Sequence, residues 1–250
     1  MEDGRVFFCK GIEADSRFAW MHRNEARVNP WLGDFAPRLL WTLDTDGWLL
    51  LGFEQVDGRY ADLSPGSPDL PRIADVMAAM ERDLTPCPQV PLQTLSQRWA
   101  GLPAWRLLSQ NPPVNLDGWV RENLRRLVGW EASAPDLLAG QTLAHTDLNA
   151  RNFLIGDRVY VIDWAWPCRA AAWIDVAFLV LRLIDAGHAP DDAEKWATSV
   201  PAWRQASDTA VTAFATAVAG LWEYRHRAAP TEHQQRLRTV ARGWARHRLG

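Results

Sequence analysis

The sequence has little cysteine, almost no lysine, no long apolar run and no excess of basic charge. Its three cysteines, Cys9, Cys87 and Cys168, are far apart and odd in number, which argues against a disulfide framework. No C-x-x-C or H-x-x-x-H spacing offers a structural metal site. The longest apolar stretch, around Val176–Leu181, is bounded by Asp175 and Arg182 and is far too short to span a bilayer. Met1-Glu2-Asp3-Gly4 lacks the basic start and apolar run of a secretory leader. These features predict a cytoplasmic protein with no membrane partner. Thirty acidic residues against 27 basic ones give a net charge of −3, unlike a dedicated nucleic-acid binder. Internal repeats and low-complexity tracts are also missing.

What remains is ample for a core: 250 residues, 48% of them hydrophobic. Fifteen tryptophans are a high count, expected to fill the core and line pockets. Lysine occurs only at Lys10 and Lys195. Lys195 sits in the polar run Asp191-Asp192-Ala193-Glu194-Lys195 and reads as solvated surface. Lys10 ends the strand-like run Val6-Phe7-Phe8-Cys9-Lys10.

Periodicity divides the chain near residue 57. Upstream, the Val6–Lys10 strand precedes a helical pattern from Asp15 to Leu32, which Asn29-Pro30 should close. Leu39–Leu43 and Trp48–Phe53 flank Asp44-Thr45-Asp46-Gly47, a strong hairpin signal. Downstream, residues 57–68 carry linker punctuation. Helices are predicted over Pro68–Leu84, with Ile73, Val76, Met77 and Met80 inward, and over Leu116–Val128, with Trp119, Val120, Leu124 and Leu127 inward. Three prolines make residues 85–91 a loop. A strand-like island follows at Thr142–Ala144, Phe153–Ile155 and Val159–Ile162. Trp173–Leu183 is apolar nearly all round, as suits a buried helix. Stripes at Val211–Trp222 and Leu237–Trp244 end the chain, whose last 30 residues hold seven arginines, from Arg225 to Arg248. Most of these read as a solvated helix face.

The chemistry concentrates in the island. It reads His145-Thr146-Asp147-Leu148-Asn149-Ala150-Arg151-Asn152, then Val161-Ile162-Asp163-Trp164. H-x-D-x-x-x-x-N fixes only three positions, and a lone loop aspartate ordinarily caps a helix or turn. Its pairing with an aspartate that closes the next hairpin is far more specific. Phosphoryl transfer needs a carboxylate near the acceptor hydroxyl and oxygen ligands for magnesium on the phosphates. Asp147 can serve as the first; Asn152 and Asp163 can supply the second.

On these motifs the chain resembles the aminoglycoside phosphotransferase-like family of small-molecule kinases, firmly over residues 142–184 and loosely elsewhere. The resemblance implies an α+β, two-lobed protein-kinase-like fold, with a small β-sheet lobe over residues 1–56 and a mainly helical lobe over 57–250. It implies ATP and Mg2+ as cofactors, Asp147 as catalytic base, and Asn152 and Asp163 as metal ligands. Lys10 matches the lysine that contacts the nucleotide phosphates, and Glu25 its helix partner, although alone Glu25 would read as a solvated carboxylate. Gln55 and Val56 match the hinge that meets adenine. His145 belongs to the loop, and Asp175 matches a buried aspartate that braces it; a helix N-terminal carboxylate is the simpler, compatible reading.

Protein kinases usually carry a lysine two residues after the catalytic aspartate, where this chain has Asn149. Only 11 residues, 164–174, separate Asp163 from Asp175, and no Ala-Pro-Glu follows. A small-molecule acceptor bearing a hydroxyl is therefore expected rather than a protein. The family pattern fails at Ala165, where glycine or an acid is common, and at the start. Five residues precede Val6, so the first hairpin of the sheet and its phosphate-covering loop are expected to be missing, and no G-x-G-x-x-G or G-x-x-x-x-G-K-[ST] replaces them. Weak ATP binding would follow, together with either pairing of the exposed Val6–Lys10 edge in a homodimer or a natural start upstream of Met1. A kinase-fold binding protein without catalysis is the competing expectation. The acidic candidates for an aminoglycoside pocket, Asp185, Asp191, Asp192 and Glu194, read equally well as surface.

Overall fold

The computed structural model describes residues 6–250. Its small lobe is one antiparallel sheet of β1 (Phe7–Glu13), β2 (Leu39–Thr45) and β3 (Trp48–Glu54), in the order β1-β3-β2. The β2–β3 hairpin turns at Asp46-Gly47, both left-handed, at φ 49° and 78°, as the Asp-Gly pair predicts. Strand β1 runs three residues beyond the predicted end, so Lys10 lies mid-strand opposite Leu51. Gly52 is required where it stands: Trp41 lies across it, 2.0 Å from where a Cβ would be. Helix α1 (Ala19–Val28) packs on this sheet and is shorter than its pattern, because residues 14–18 form turns and Asn29-Pro30 opens a 3-10 turn.

Residues 55–58 leave the sheet as an irregular connection, the segment in which the sequence suggests a division. Two residues of β4 (Arg59–Tyr60) then join a second sheet beside β6 (Phe153–Ile155) and β7 (Val159–Val161). Asp69 fixes this entry: buried at the start of α2 (Asp69–Asp83), it takes both guanidinium arms of Arg59 at 2.6 and 2.7 Å and the amide of Asp62 at 2.8 Å.

The large lobe adds α3 (Leu95–Ala100), α4 (Ala104–Gln110), α5 (Gly118–Leu137), β5 (Thr142–Ala144), β8 (Cys168–Ala170), α6 (Ile174–Asp185), α7 (Pro190–Ala197), α8 (Asp208–Ala228) and α9 (Glu232–Leu249). Helix α5 continues well past Val128, through Gly129 and Pro135, because Ala134 and Leu138 remain in the core. Strand β8 pairs with β5 inside the short segment that follows Asp163. Helix α6 is buried from Ile174 to Ala177 and again from Leu179 to Leu181, so its apolar circumference matches its place at the centre of the lobe. Helix α8 is buried continuously from Ala210 to Gly220. There the Trp105 ring lies on Gly220, 2.7 Å from a virtual Cβ, and its Nε1 donates to the Thr216 carbonyl at 2.8 Å.

The C-terminal arginines are mostly not a solvated face. Arg227 pairs with Glu223 at 2.7 Å, Arg236 with Asp185 at 2.8 Å, Arg242 with Asp117 at 3.2 Å and Arg248 with Glu194 at 2.9 Å. Helix α9 packs into the lobe, and its arginines meet carboxylates from α6, α7, α8 and the cap of α5.

Candidate active site

Two elements bring the small-lobe residues to the cleft. Lys10 points inward from the middle of β1, and Glu25, one of three buried residues of α1, meets it. The ammonium lies 2.9 Å from both Glu25 oxygens and 2.7 Å from Asp163 Oδ1. Burial opposes the lysine's charge, but the two carboxylates outweigh it and hold its pKa above the usual value. Glu25 is only 4% exposed, so it is not a solvated helix carboxylate.

The loop between β5 and β6 carries His145, Asp147 and Asn152. Asp175, buried in the first turn of α6, accepts the amides of His145 and Thr146, each at 2.8 Å. His145 is fully buried, packs tilted against Trp164 with ring centres 4.8 Å apart, and its Nε2 lies 3.0 Å from the Ile162 carbonyl, which sets that nitrogen as the donor. Its Nδ1 then accepts the Asp147 amide at 3.3 Å. Thr146 and Asp163 are left-handed, at φ 64° and 66°. Non-glycine residues adopt that conformation uncommonly, and such residues gather at turns and functional sites.

A cavity of about 770 Å3 lies between the lobes. Lys10, Glu25, Gln55, Val56, Asn152 and Asp163 all line it, and its volume lies within the roughly 300–1,000 Å3 of small-molecule sites. Asn152 receives a hydrogen bond from Asn149 on its amide oxygen and donates to the Ile162 carbonyl at 3.3 Å. An amide oxygen and a carboxylate at one cleft suit magnesium, which takes one or two protein carboxylates and completes its shell with water and phosphate. A cluster of three or more acidic, histidine or cysteine ligands is absent among the described residues.

Asp147 lies elsewhere, in a second cavity of about 250 Å3 that shares no lining residue with the first. Its carboxylate keeps 45% exposure, 3.8 Å from Arg182. Enclosure pushes its pKa up, with a smaller push from Asp163, against the pull of His145, Arg182 and Arg225. The loop of residues 145–152 thus lines both cavities, Thr146 and Asp147 on one and Asn149, Arg151 and Asn152 on the other. Sequence reading did not single out Arg98 or Arg182, and it assigned Arg225 to a solvated face; all three line the second cavity. Spacing gives no signal for them, because they come from α3, α6 and α8.

No protein-family model matches the chain, and no curated protein matches it in sequence. Solved structures do match in three dimensions. An aminoglycoside phosphotransferase from Alicyclobacillus acidocaldarius aligns with a TM-score of 0.65 at 15% identity, covering 99% of this chain and 85% of its own. The choline kinase LicA from Streptococcus pneumoniae gives 0.62 at 13%, covering 98% and 88%. A thermostable mutant of aminoglycoside phosphotransferase APH(4)-Ia, in ternary complex with ADP and hygromycin B, gives 0.61 at 11%, covering 97% and 88%. The chain therefore has the two-lobed, protein-kinase-like fold of the aminoglycoside phosphotransferases and choline kinases.

Proposed function

We propose that this protein transfers the γ-phosphoryl group of ATP to a hydroxyl of a small molecule. The observation that carries this reading is the division of labour across one loop. Lys10, Glu25, Asn152 and Asp163 face the large inter-lobe cavity, and Asp147 faces a separate, smaller one. Nucleotide is assigned to the first and the acceptor to the second; a neighbour of this fold was solved in a ternary complex with ADP and hygromycin B.

In this reading the backbone of Gln55 and Val56 meets adenine, and Lys10, held by Glu25, reaches the phosphates. Asn152 and Asp163 would hold Mg2+, which when bound neutralises charge on the phosphate oxygens. Asp147 takes the proton of the acceptor hydroxyl as its oxygen bonds to the γ-phosphorus and the bond to ADP breaks. A carboxylate whose pKa is raised is the better proton acceptor. His145 and Asp175 fix the loop that carries it.

The nucleotide half is tested by calorimetric titration of ATP with and without magnesium. The parent should bind more tightly with the metal, and Asp163→Ala should lose that difference. Equal binding by both proteins under both conditions would remove Asp163 from the metal site.

Two further assignments belong to this reading. Three free cysteines, Cys168 among them fully buried, suit a reducing cytoplasm. Strand β1 has no partner on its outer side among the described residues, and its Phe7 and Phe8 are 46% and 51% exposed. Such an edge favours pairing with a second copy.

A further inference from the structure

The charged lining of the second cavity is Asp147 and three arginines, Arg98, Arg182 and Arg225. Arg182 stands 3.8 Å from Asp147, which leaves two guanidinium groups without a balancing carboxylate. Arg98 donates to the Thr146 hydroxyl at 2.9 Å and to the carbonyls of Trp166 and Pro167 at 3.1 and 3.0 Å. These acceptors are neutral, so they fix its charge in place without cancelling it. Arg225 is exposed at the cavity and pairs with no carboxylate among the described residues.

The aromatic walls do not offset this. A cage for a quaternary ammonium needs open ring faces. Here the guanidinium of Arg98 lies over Trp166, 5.7 Å from the ring centre, and that of Arg225 over Trp222 at 5.4 Å. Of the four acidic candidates none lines this cavity, and three are paired elsewhere: Asp185 with Arg236, Glu194 with Arg248 and Asp191 with His247. The cavity is also small, about 250 Å3. Guanidinium forks match carboxylate and phosphate oxygens in geometry as well as charge.

We propose that the acceptor bound beside Asp147 is a small anion, an alcohol that carries a carboxylate or phosphate group, rather than an aminoglycoside or a choline-like cation. The word acceptor rests on the phosphotransfer reading; the preference for anions rests on the cavity alone.

Calorimetric titration of the full chain at low ionic strength, without nucleotide, tests the preference. The probes are glycerate as a carboxylate, glycerol 3-phosphate and ribose 5-phosphate as phosphates, and choline and kanamycin as cations. At least one anionic alcohol should bind more tightly than either cation. Arg225→Gln should weaken that binding roughly tenfold or more, the loss expected of one charge-assisted contact, while its melting temperature and ATP affinity stay at the parent values. Which anion binds separates carboxylate from phosphate recognition. Tighter binding of a cation, no binding of any anion, or anion binding that Arg225→Gln leaves unchanged would overturn the inference. ADP release is measured separately. Anion binding without phosphoryl transfer would leave the ligand class standing and remove the kinase reading; transfer to choline or kanamycin would do the reverse.

Discussion

At the scale of single residues, Asp175 and Asp147 show how one kind of side chain takes two tasks from its surroundings. Asp175 is 5% exposed and holds two amides of the loop that carries Asp147. Asp175→Ala leaves both donors buried without an acceptor and should cost about 1–3 kcal/mol, read from the shift in a urea melt; a change within about 0.5 kcal/mol is what a surface site gives. Asp147 must be ionised to accept a proton, and enclosure raises its pKa. Activity should therefore fall on acidification with a limb above the roughly 3.9 of an exposed aspartate. His145, Arg182 and Arg225 pull that pKa down, while Asp163 pushes it up. Removing one cation by Arg182→Gln should move the acid limb of kcat to higher pH. A limb that stayed in place would show that Arg182 does not act on the Asp147 charge.

Among elements, those with strong local signals were legible and those defined by distant contacts were not. The Asp46-Gly47 hairpin, the mainly apolar α6 and the strand–loop–hairpin around Asp147 carry their geometry in consecutive residues. Helix α3 was not anticipated, although Thr94-Leu95-Ser96-Gln97 is a capping box whose two reciprocal bonds measure 2.9 and 3.0 Å. Strand β8 has only three residues and exists because β5 lies beside it, so no local pattern marks it. The contact of α4 with α8 is of the same kind: Gly220 looks like a helix weakness until Trp105 is placed on it. Gly220→Ala should gain about 1 kcal/mol in helix propensity but force a methyl group against a buried ring, at about 1–3 kcal/mol. With that ring held by its hydrogen bond to Thr216, the clash should win, and thermal or urea unfolding should show a net loss of stability.

For the whole molecule, net charge and local charge lead to different conclusions. A balance of −3 argues against a nucleic-acid partner, yet three arginines from three helices converge on one cavity. The placing of Asp147, Asn152 and Asp163 around one loop was legible because their spacing is set by a single loop and hairpin. The arginine wall of the second cavity was not, because it is assembled across the lobe, and the same assembly turned most of the expected arginine surface into ion pairs. The apolar β1 edge makes a prediction at this scale too. Sedimentation at rising concentration should show reversible dimers, and Phe7→Lys should shift the protein to monomer. A parent that stays monomeric throughout would remove the edge from any role in assembly.

The central claim is that Asp147 performs chemistry on an acceptor while the other face of its loop holds nucleotide. It is tested most directly by single-turnover transfer of labelled γ-phosphate from magnesium-ATP to acceptor, comparing the parent with Asp147→Asn and titrating ATP into both. The account predicts transfer by the parent, a loss of about 100-fold or more in the variant, and nearly equal ATP affinity in the two proteins. Transfer by the variant at the parent rate would contradict the role of Asp147, and no transfer by the parent to any hydroxylated acceptor would leave a nucleotide-binding protein in place of a kinase.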